Sequence, residues 1–322
     1  MRKHIALAFF IAGVFCSYNV IGAVSWKRVA PANVPGNVEK TNASQYEIYK
    51  VDEPALKTFL FSLSLNENAG QIMPVPMPDG SLRDFRVWYT PMMPQELAAR
   101  YPELRTFTGV AIDNPLVTAK LDFTVYGFHA MVFGEREISF VNPAGGLSDG
   151  YYTAHYKKDE LALLAEESKC ATLSTEPATK DKPVDISNKG YKINNGNQKR
   201  TYSLALSCSH QYASAVTGLS APTIAQVLSK MTTTINRVNG IYEKELSVSL
   251  AFVAKEDTLI WTSEVSSQNG PDPFSTCNDL FNPWPCLPAN QTLCDARIGT
   301  ANYDLGHVFT SGGGGLTDIG VV

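Results

Sequence analysis

Histidine and cysteine are the residue types whose ordinary chemistry most readily gives catalysis or metal binding near neutral pH. Four histidines follow the first 23 residues, and they are far apart: His129, His155, His210 and His307. None stands beside a carboxylate at the spacing of a metal-ligand motif. The sequence also contains no His-Glu-x-x-His, Gly-x-Ser-x-Gly, Walker loop or Cys-x-x-Cys pair. We therefore interpret these histidines as structural or surface residues.

The N-terminus indicates the compartment. Residues 2–4 are basic, residues 5–15 form an unbroken small and apolar run, and Gly22-Ala23 is a small-residue cleavage site. The apolar run is shorter than the roughly 20 residues of a spanning helix. No later segment is apolar for long enough, so we expect no transmembrane segment. We predict that residues 1–23 are a signal peptide and that the mature protein is secreted or periplasmic.

Five of the six cysteines follow this leader, and an exported chain favours disulfides over metal ligation for them. Cys277, Cys286 and Cys294 surround a Pro-rich loop, and we predict at least one disulfide among them. The preferred pair is Cys277 with Cys286, and the alternative is Cys286 with Cys294. Because five is odd, one cysteine lacks a partner within the chain, and we assign this place to Cys170. The alternative for Cys170 is a disulfide to Cys208 or to a cysteine outside this sequence.

The charge distribution excludes one class of partner. The formal net charge is −4, and no run of Lys and Arg or basic stripe with aromatic residues occurs. A basic run or stripe of this kind is expected on a protein that binds nucleic acid. We therefore expect no nucleic-acid partner.

The first half of the chain has the pattern of a β-rich domain. Three segments alternate between apolar and polar residues and are separated by turn residues, at 59–65, 85–89 and 121–126. We predict a β-rich domain over residues 24–168 that ends in a short helix at 159–168. Residues 169–199 lose this periodicity and gather Lys, Asp, Pro, Asn and Gly, which predicts a linker.

The pattern changes at residue 200 to that of an α/β domain. Residues 202–208 alternate as a strand, and apolar residues then recur at helical spacing from Ile224 to Leu246. We expect this amphipathic helix to start near Ser220 and Pro222. The segments that follow are strands at 247–254 and 258–262, a loop at 270–287 and a helix at 290–299.

The last segment of the chain indicates an edge strand. Residues 312–315 are four glycines without the Lys-Ser/Thr of a phosphate loop, so we interpret them as a tight turn. The apolar run at 316–322 then predicts a strand at the edge of the sheet. An edge strand needs a covering layer or partner, so the domain over residues 200–322 reads as unfinished. The predicted fold class is α/β, with the order strand, helix, strand, strand, helix, edge strand.

The most specific stretch of the chain is Ile298-Gly-Thr-Ala-Asn-Tyr-Asp-Leu-Gly-His-Val-Phe309, followed by Ser311-Gly-Gly-Gly-Gly-Leu316. Together with the strand and long helix before it, this stretch resembles the catalytic domain of bacterial reprolysin-like zinc metallopeptidases, which are metzincins. The β-rich domain resembles their pro-region, although less specifically. The resemblance implies the precursor of an exported endopeptidase that acts on an extended polypeptide.

The resemblance also implies Zn²⁺ in the complete protein. In this family the edge strand is followed by a helix with His-Glu-x-x-His-x-x-Gly-x-x-His, whose histidines hold the metal and whose glutamate is the general base. That motif does not occur up to Val322. We therefore assign no catalytic residue, expect no cofactor for this chain and expect it to be an inactive N-terminal fragment.

Two kinds of site residue follow from the resemblance. Related peptidases pair an extended substrate with the edge strand, which makes six residues substrate-binding candidates: Gly315, Leu316, Thr317, Asp318, Ile319 and Gly320. Related enzymes also use a pro-region cysteine as a zinc ligand that keeps the precursor latent, and Cys170 is the candidate here. The alternative function is a secreted binding or surface protein on a degenerate peptidase scaffold.

Overall fold

The computed structural model describes residues 24–35, 43–145, 149–160, 170–173, 198–275, 285–311 and 315–318. Outside the described residues lie the predicted signal peptide, residues 161–168 of the helix predicted at 159–168, most of the predicted linker, Cys277, Ile319 and Gly320. Below, the N-terminal region means the described part of residues 24–160, and the C-terminal region means that of residues 198–318. No described helix is both long and apolar enough to cross a membrane.

The N-terminal region contains one antiparallel sheet of nine strands. They are β1 (Trp26–Val29), β2 (Glu47–Val51), β3 (Gln71–Pro76), β4 (Leu82–Tyr89), β5 (Arg105–Ala111), β6 (Thr118–Thr124), β7 (Gly127–Phe133), β8 (Ile138–Pro143) and β9 (Tyr151–Tyr156). Their spatial order is β1-β2-β9-β8-β7-β6-β5-β4-β3. The sheet is curled, since Trp26 Nε1 on one outer strand donates to the carbonyl of Pro74 on the other at 3.0 Å. The predicted strand at 85–89 lies in β4, and the one at 121–126 lies largely in β6.

The predicted strand at 59–65 is wrong, because its first residues belong to helix α1 (Glu53–Phe61). Asp52 caps this helix through its side chain, and Pro54 lies in its first turn. The buried residues of α1 have helical spacing, at Leu56, Phe59 and Leu60. A second, short helix of this region, α2 (Gln95–Arg100), was not predicted.

The C-terminal region has a parallel sheet of three described strands with the order β12-β11-β15. Its elements are β11 (Arg200–Cys208), α3 (His210–Thr217), α4 (Ile224–Leu246), β12 (Val248–Phe252), the hairpin of β13 (Val265–Ser266) and β14 (Gly270–Pro271), α5 (Cys286–Arg297) and β15 (Leu305–Phe309). Helices and strands therefore coexist as predicted, with a β-rich first half, and the α/β class is confirmed.

The long helix α4 is confirmed, but it starts at a different cap. Thr223 is the N-cap, and its side-chain oxygen accepts the backbone N–H of Gln226 at 3.3 Å. The Gln226 side chain accepts the backbone N–H of Thr223 at 2.8 Å. This reciprocal capping box satisfies two N–H groups at once, which explains why the helix begins at Thr223 and not near Ser220.

Two other elements of the C-terminal region differ from the prediction. Residues 258–262 were predicted to be a strand, but the chain forms a 3-10 helix at Glu256–Leu259 instead. Only Ile260 makes an isolated bridge, to Cys208. Helix α3 was not predicted, although Ser209 caps its start and Gly218, with φ +70°, ends it. The predicted helix at 290–299 is α5, which starts earlier, at Cys286.

A small parallel sheet joins the predicted linker to the predicted edge strand. β10 (Cys170–Leu173) pairs with β16 (Gly315–Asp318). The first residues of the predicted linker at 169–199 are therefore a strand. The edge strand predicted at 316–322 is present over residues 315–318, but its described partner is β10 and not β15.

Candidate functional site

The strand that contains the substrate-binding candidates is already paired with another extended segment. The register joins Cys170 to Gly315, Ala171 to Leu316, Thr172 to Thr317 and Leu173 to Asp318. In such a parallel ladder, backbone N–H and C=O groups provide the attraction whatever the side chains are. Four of the six candidates therefore lie in a strand that accepts a second strand, and Ile319 and Gly320 lie outside the described residues.

The predicted latency residue Cys170 is the first residue of β10 and lies opposite Gly315 in the register. The structure thus brings the backbone of the candidate latency segment to the candidate substrate strand. The side chains of β10 and β16 are outside the part of the chain that the structure describes. The role of Cys170 as a metal ligand consequently stays a prediction.

The histidines are separated from one another, and three of them have a carboxylate neighbour. His129 Nδ1 lies 3.1 Å from Asp122 Oδ1, and His155 Nε2 lies 3.3 Å from Glu160 Oε1. His210 Nδ1 lies 2.6 Å from Asp272 Oδ2. Sequence reasoning missed these pairs because two of the three carboxylates come from other strands or loops.

The described residues do not fit a zinc site. Across residues 24–318, wherever the structure describes the chain, no group of three or more His, Cys, Asp and Glu side chains could hold a metal ion. A catalytic zinc needs three protein ligands and an open position for water. No step of peptide hydrolysis can therefore be assigned to the residues described.

Glu256 is a buried carboxyl group that the sequence did not single out. Its Oε1 accepts the backbone N–H of Leu206, on the central strand β11, at 3.0 Å. Complete burial raises the pKa of Glu256 well above its usual range, because the charged form of a carboxyl group is disfavoured away from water. Glu256 thereby satisfies a buried backbone donor, and it holds the 3-10 helix against β11.

The three cysteines whose side chains the structure describes are one disulfide-bonded residue and two free thiols. Cys286 is disulfide-bonded, and its preferred partner Cys277 lies outside the described residues. Cys294 and Cys208 are free and buried. The predicted disulfide role of Cys294 is therefore wrong, and so are the alternative pairs of Cys286 with Cys294 and of Cys170 with Cys208.

The two free thiols are not reactive groups. Burial raises the pKa of Cys294 to about 11 and that of Cys208 further. The thiolate is the nucleophilic and metal-binding form of cysteine. Both residues are therefore buried, protonated parts of the core of the C-terminal region.

Comparison with known families identifies the C-terminal segment. Residues 228–322 match the model Reprolysin_3, the reprolysin-like metallopeptidases of family M12B. The match starts in α4, includes β12, α5, β15 and β16, and covers less than one third of the 322 residues. A comparison with curated proteins gives no significant match. The resemblance to reprolysin-like metallopeptidases is confirmed for this segment, which includes the candidate substrate strand.

Proposed function

Because residues 228–322 are reprolysin-like metallopeptidase sequence, we propose that this chain is the precursor of an exported zinc-dependent endopeptidase. Its C-terminal region supplies the strand that binds an extended polypeptide substrate. The observation that carries this proposal is the family match, and the parallel pairing of β10 with β16 supports the role of the strand. The resemblance assigns β16 to substrate binding, and in this structure the same strand accepts an extended segment of the chain itself.

The pairing also suggests how the precursor is kept latent. A substrate that binds by strand addition needs free N–H and C=O groups along one side of the edge strand. β10 occupies such groups on β16, so a peptide that uses the same side must displace it. We propose that β10 is an internal competitor of the substrate and that its removal opens β16.

The same proposal includes an expected absence of activity. The sequence has no His-Glu-x-x-His motif, and the described residues offer no ligand set for zinc. We expect the polypeptide of residues 1–322 neither to bind zinc stoichiometrically nor to cleave peptides. Metal analysis after chelator washing and addition of zinc tests the first expectation. Chelator-sensitive cleavage of an unfolded protein substrate would contradict the second.

Export is supported by two observations. The first is the basic, apolar and small-residue pattern of residues 1–23. The second is the disulfide at Cys286, since disulfides persist in oxidising compartments. N-terminal sequencing of the protein purified from a secreting host should give a start near Val24, whereas a chain that retains Met1 would contradict export with cleavage.

Peptide binding tests the proposed role of β16. N–H groups of successive strand residues point to opposite sides, and proline has none. One of the variants Ala171→Pro and Thr172→Pro should therefore lose a β10–β16 hydrogen bond. We expect that variant to bind a labelled peptide of residues 168–175 in a fluorescence anisotropy titration, and the parent to bind it weakly.

Thr175→Pro, just outside β10, is the matched control and should behave as the parent. If neither strand variant binds the peptide while amide exchange shows that β16 has become accessible, β16 is not a strand-accepting edge. The proposed substrate role would then be wrong.

A further inference from the structure

Helix α4 is buried on two sides. Its apolar face, which includes Val227, Leu228, Met231 and Ile235, packs in the core of the C-terminal region. Its opposite face lies against β6 and β7 of the N-terminal sheet. An amphipathic surface helix would leave this second face in water. The contacts there are therefore informative about how the two regions are associated.

The first contact is a buried carboxylate. Asp122 on β6, with 1% exposure, accepts a hydrogen bond from Thr233 Oγ1 at 2.7 Å. Asn236 Nδ2, one turn further along α4, donates to the Leu121 carbonyl at 2.9 Å. Asn236 Nδ2 also lies 3.4 Å from Asp122 Oδ2, so α4 adds two donors to a carboxylate that has His129 beside it in its own sheet. The polar face of α4 is thus matched to the N-terminal sheet.

The second contact is an ion pair beside a glycine. Lys120 Nζ lies 2.7 Å from Glu243 Oε2, and their side chains are 9% and 20% exposed. Glu243 Oε1 also accepts a hydrogen bond from Ser249 Oγ at 2.8 Å. Gly240 lies one turn before Glu243 on α4, and a Cβ there would meet the Phe133 ring at 2.5 Å. The helix therefore approaches the sheet more closely than any other residue would allow.

The third contact is a bidentate ion pair at a different place. Arg100, the last residue of α2, donates through Nε and Nη2 to the two carboxylate oxygens of Asp257, each at 2.8 Å. The same Nη2 donates to the Ala254 carbonyl at 2.8 Å. The Asp257 side chain is 7% exposed, so the guanidinium is the charge that compensates it.

The apolar contacts join the two regions into one core. Four residues around α2 belong to the same buried cluster as the interior of the C-terminal sheet: Met92, Met93, Leu97 and Leu104. The Met92 carbonyl also accepts the backbone N–H of Phe252 at 2.9 Å. The segment around Met92 thus lies beside the outer strand β12 and is hydrogen-bonded to it. A shared apolar core is typical of obligate interfaces.

The position of this interface differs from that of the candidate site. In the described sheet order β12-β11-β15, the N-terminal region contacts the β12 side. β15 is the strand at the opposite edge, and the candidate substrate strand follows it in sequence. The hydrogen bonds and ion pairs described above therefore lie on α4 and on the β12 side of the sheet.

We propose that the N-terminal region is a permanent partner of the C-terminal region and stays bound after the connecting chain is cut. A pro-domain that leaves would uncover the cluster around Leu228. It would also remove donors from two buried carboxylates, because Asp122 would lose Thr233 and Asp257 would lose Arg100. Cleavage between β10 and β11 consequently gives a protein of two associated chains. This inference concerns association alone and holds whether or not the C-terminal region cleaves peptides.

The test inserts a specific protease site after Ser187 and cuts the folded protein. Size-exclusion chromatography with light scattering should find both fragments in one peak with the mass of the uncut chain. A second variant carries a further site after Ala165, so that double cutting releases the segment containing β10. The remaining fragments should still co-elute. Fragments that separate after either treatment under native conditions would overturn the proposal.

Substitutions at the interface test whether the contacts named above hold the two regions together. Asp257→Asn and Arg100→Ala should each raise the dissociation constant of the doubly cut protein at least about 10-fold. Arg83→Ala, which breaks the exposed Arg83–Asp113 pair far from this interface, is the control and should leave it unchanged. If one of the two interface variants fails to fold, the other still tests the interface. Equal dissociation constants for a folded interface variant and the control would show that this surface does not hold the regions together.

Discussion

Gly240→Ala is the change that probes the packing of α4 on the N-terminal sheet most sharply. A Cβ at this position would lie 2.5 Å from two ring atoms of Phe133 and 3.0 Å from Lys120 Cγ. Carbon atoms prefer a separation of about 3.5–4.0 Å. The overlap with the ring is therefore about 1 Å, and Phe133 is buried beside Met131 and Phe140.

Two effects with opposite signs decide the outcome. Alanine in a helix interior is favoured over glycine by about 1 kcal/mol. An extra methyl group in a close-packed core costs about 1–3 kcal/mol, and the upper part of that range applies because the ring has little room to move. We therefore expect the free energy of unfolding to fall by about 1–2 kcal/mol, measured by urea denaturation.

A double-mutant cycle with Phe133→Leu isolates the overlap. The smaller side chain makes room for the new methyl group, so Gly240→Ala should be neutral or stabilising in the Phe133→Leu background. The coupling energy between the two sites should then exceed about 1 kcal/mol. A Gly240→Ala protein that is more stable than the parent, with no coupling to position 133, would refute the close packing of α4 on the sheet.

Three further outcomes are expected. Arg100→Ala removes a bidentate partner from Asp257, whose side chain is 7% exposed while that of Arg100 is 44% exposed. The free energy of unfolding should fall by about 1–2 kcal/mol. Arg83→Ala at an exposed pair should change it by less than about 1 kcal/mol, and equal effects of the two substitutions would contradict the assigned role of Arg100. Burial lowers the pKa of His129 in the folded state, although the nearby Asp122 carboxylate acts in the opposite direction. The unfolded chain therefore takes up the proton at a higher pH than the folded protein. Stability is consequently lost as the pH falls below about 6.5. His129→Gln should weaken this dependence in urea titrations between about pH 5 and pH 7, and an unchanged slope would disprove the assignment. Non-reducing peptide mapping should find Cys286 joined to Cys277, a short loop whose closure stabilises by about 2–3 kcal/mol, and a free Cys277 thiol would exclude the pair.

The elements with strong periodicity could be predicted from the sequence. β11 and α4 were found because their apolar residues recur with periods that only a strand or a helix produces. The caps were harder, since Ser220 and Thr223 are both good N-cap residues. The sequence does contain a signal that distinguishes them, because Thr223 with Gln226 three residues later has the spacing of a capping box, which the structure shows.

Short elements were misjudged where a local pattern fits two structures. Residues 59–65 alternate like a strand, yet Phe59 and Leu60 also complete the buried face of α1. β10 lies within a polar stretch, and a strand of four residues has too little pattern to be seen. Its pairing with β16 depends on residues that are distant in sequence, which no local pattern contains.

The interface between the two regions could not be predicted for the same reason. Thr233 and Asp122 are 111 positions apart, and α4 has the sequence pattern of an ordinary amphipathic helix with a solvated polar face. Thr, Asn and Gly on that face are common in surface helices as well. Only the structure shows that these residues are complementary to one sheet surface.

Amide hydrogen exchange at residues 315–318 tests most directly the claim that β16 is a strand-accepting edge covered by the chain's own β10. The claim predicts that these amides are protected in the parent. In whichever of Ala171→Pro and Thr172→Pro breaks the ladder, they should exchange at least about 10-fold faster. Adding the peptide of residues 168–175 to that variant should restore the protection. Rapid exchange at these amides in the parent, or protection that neither proline changes, would contradict it.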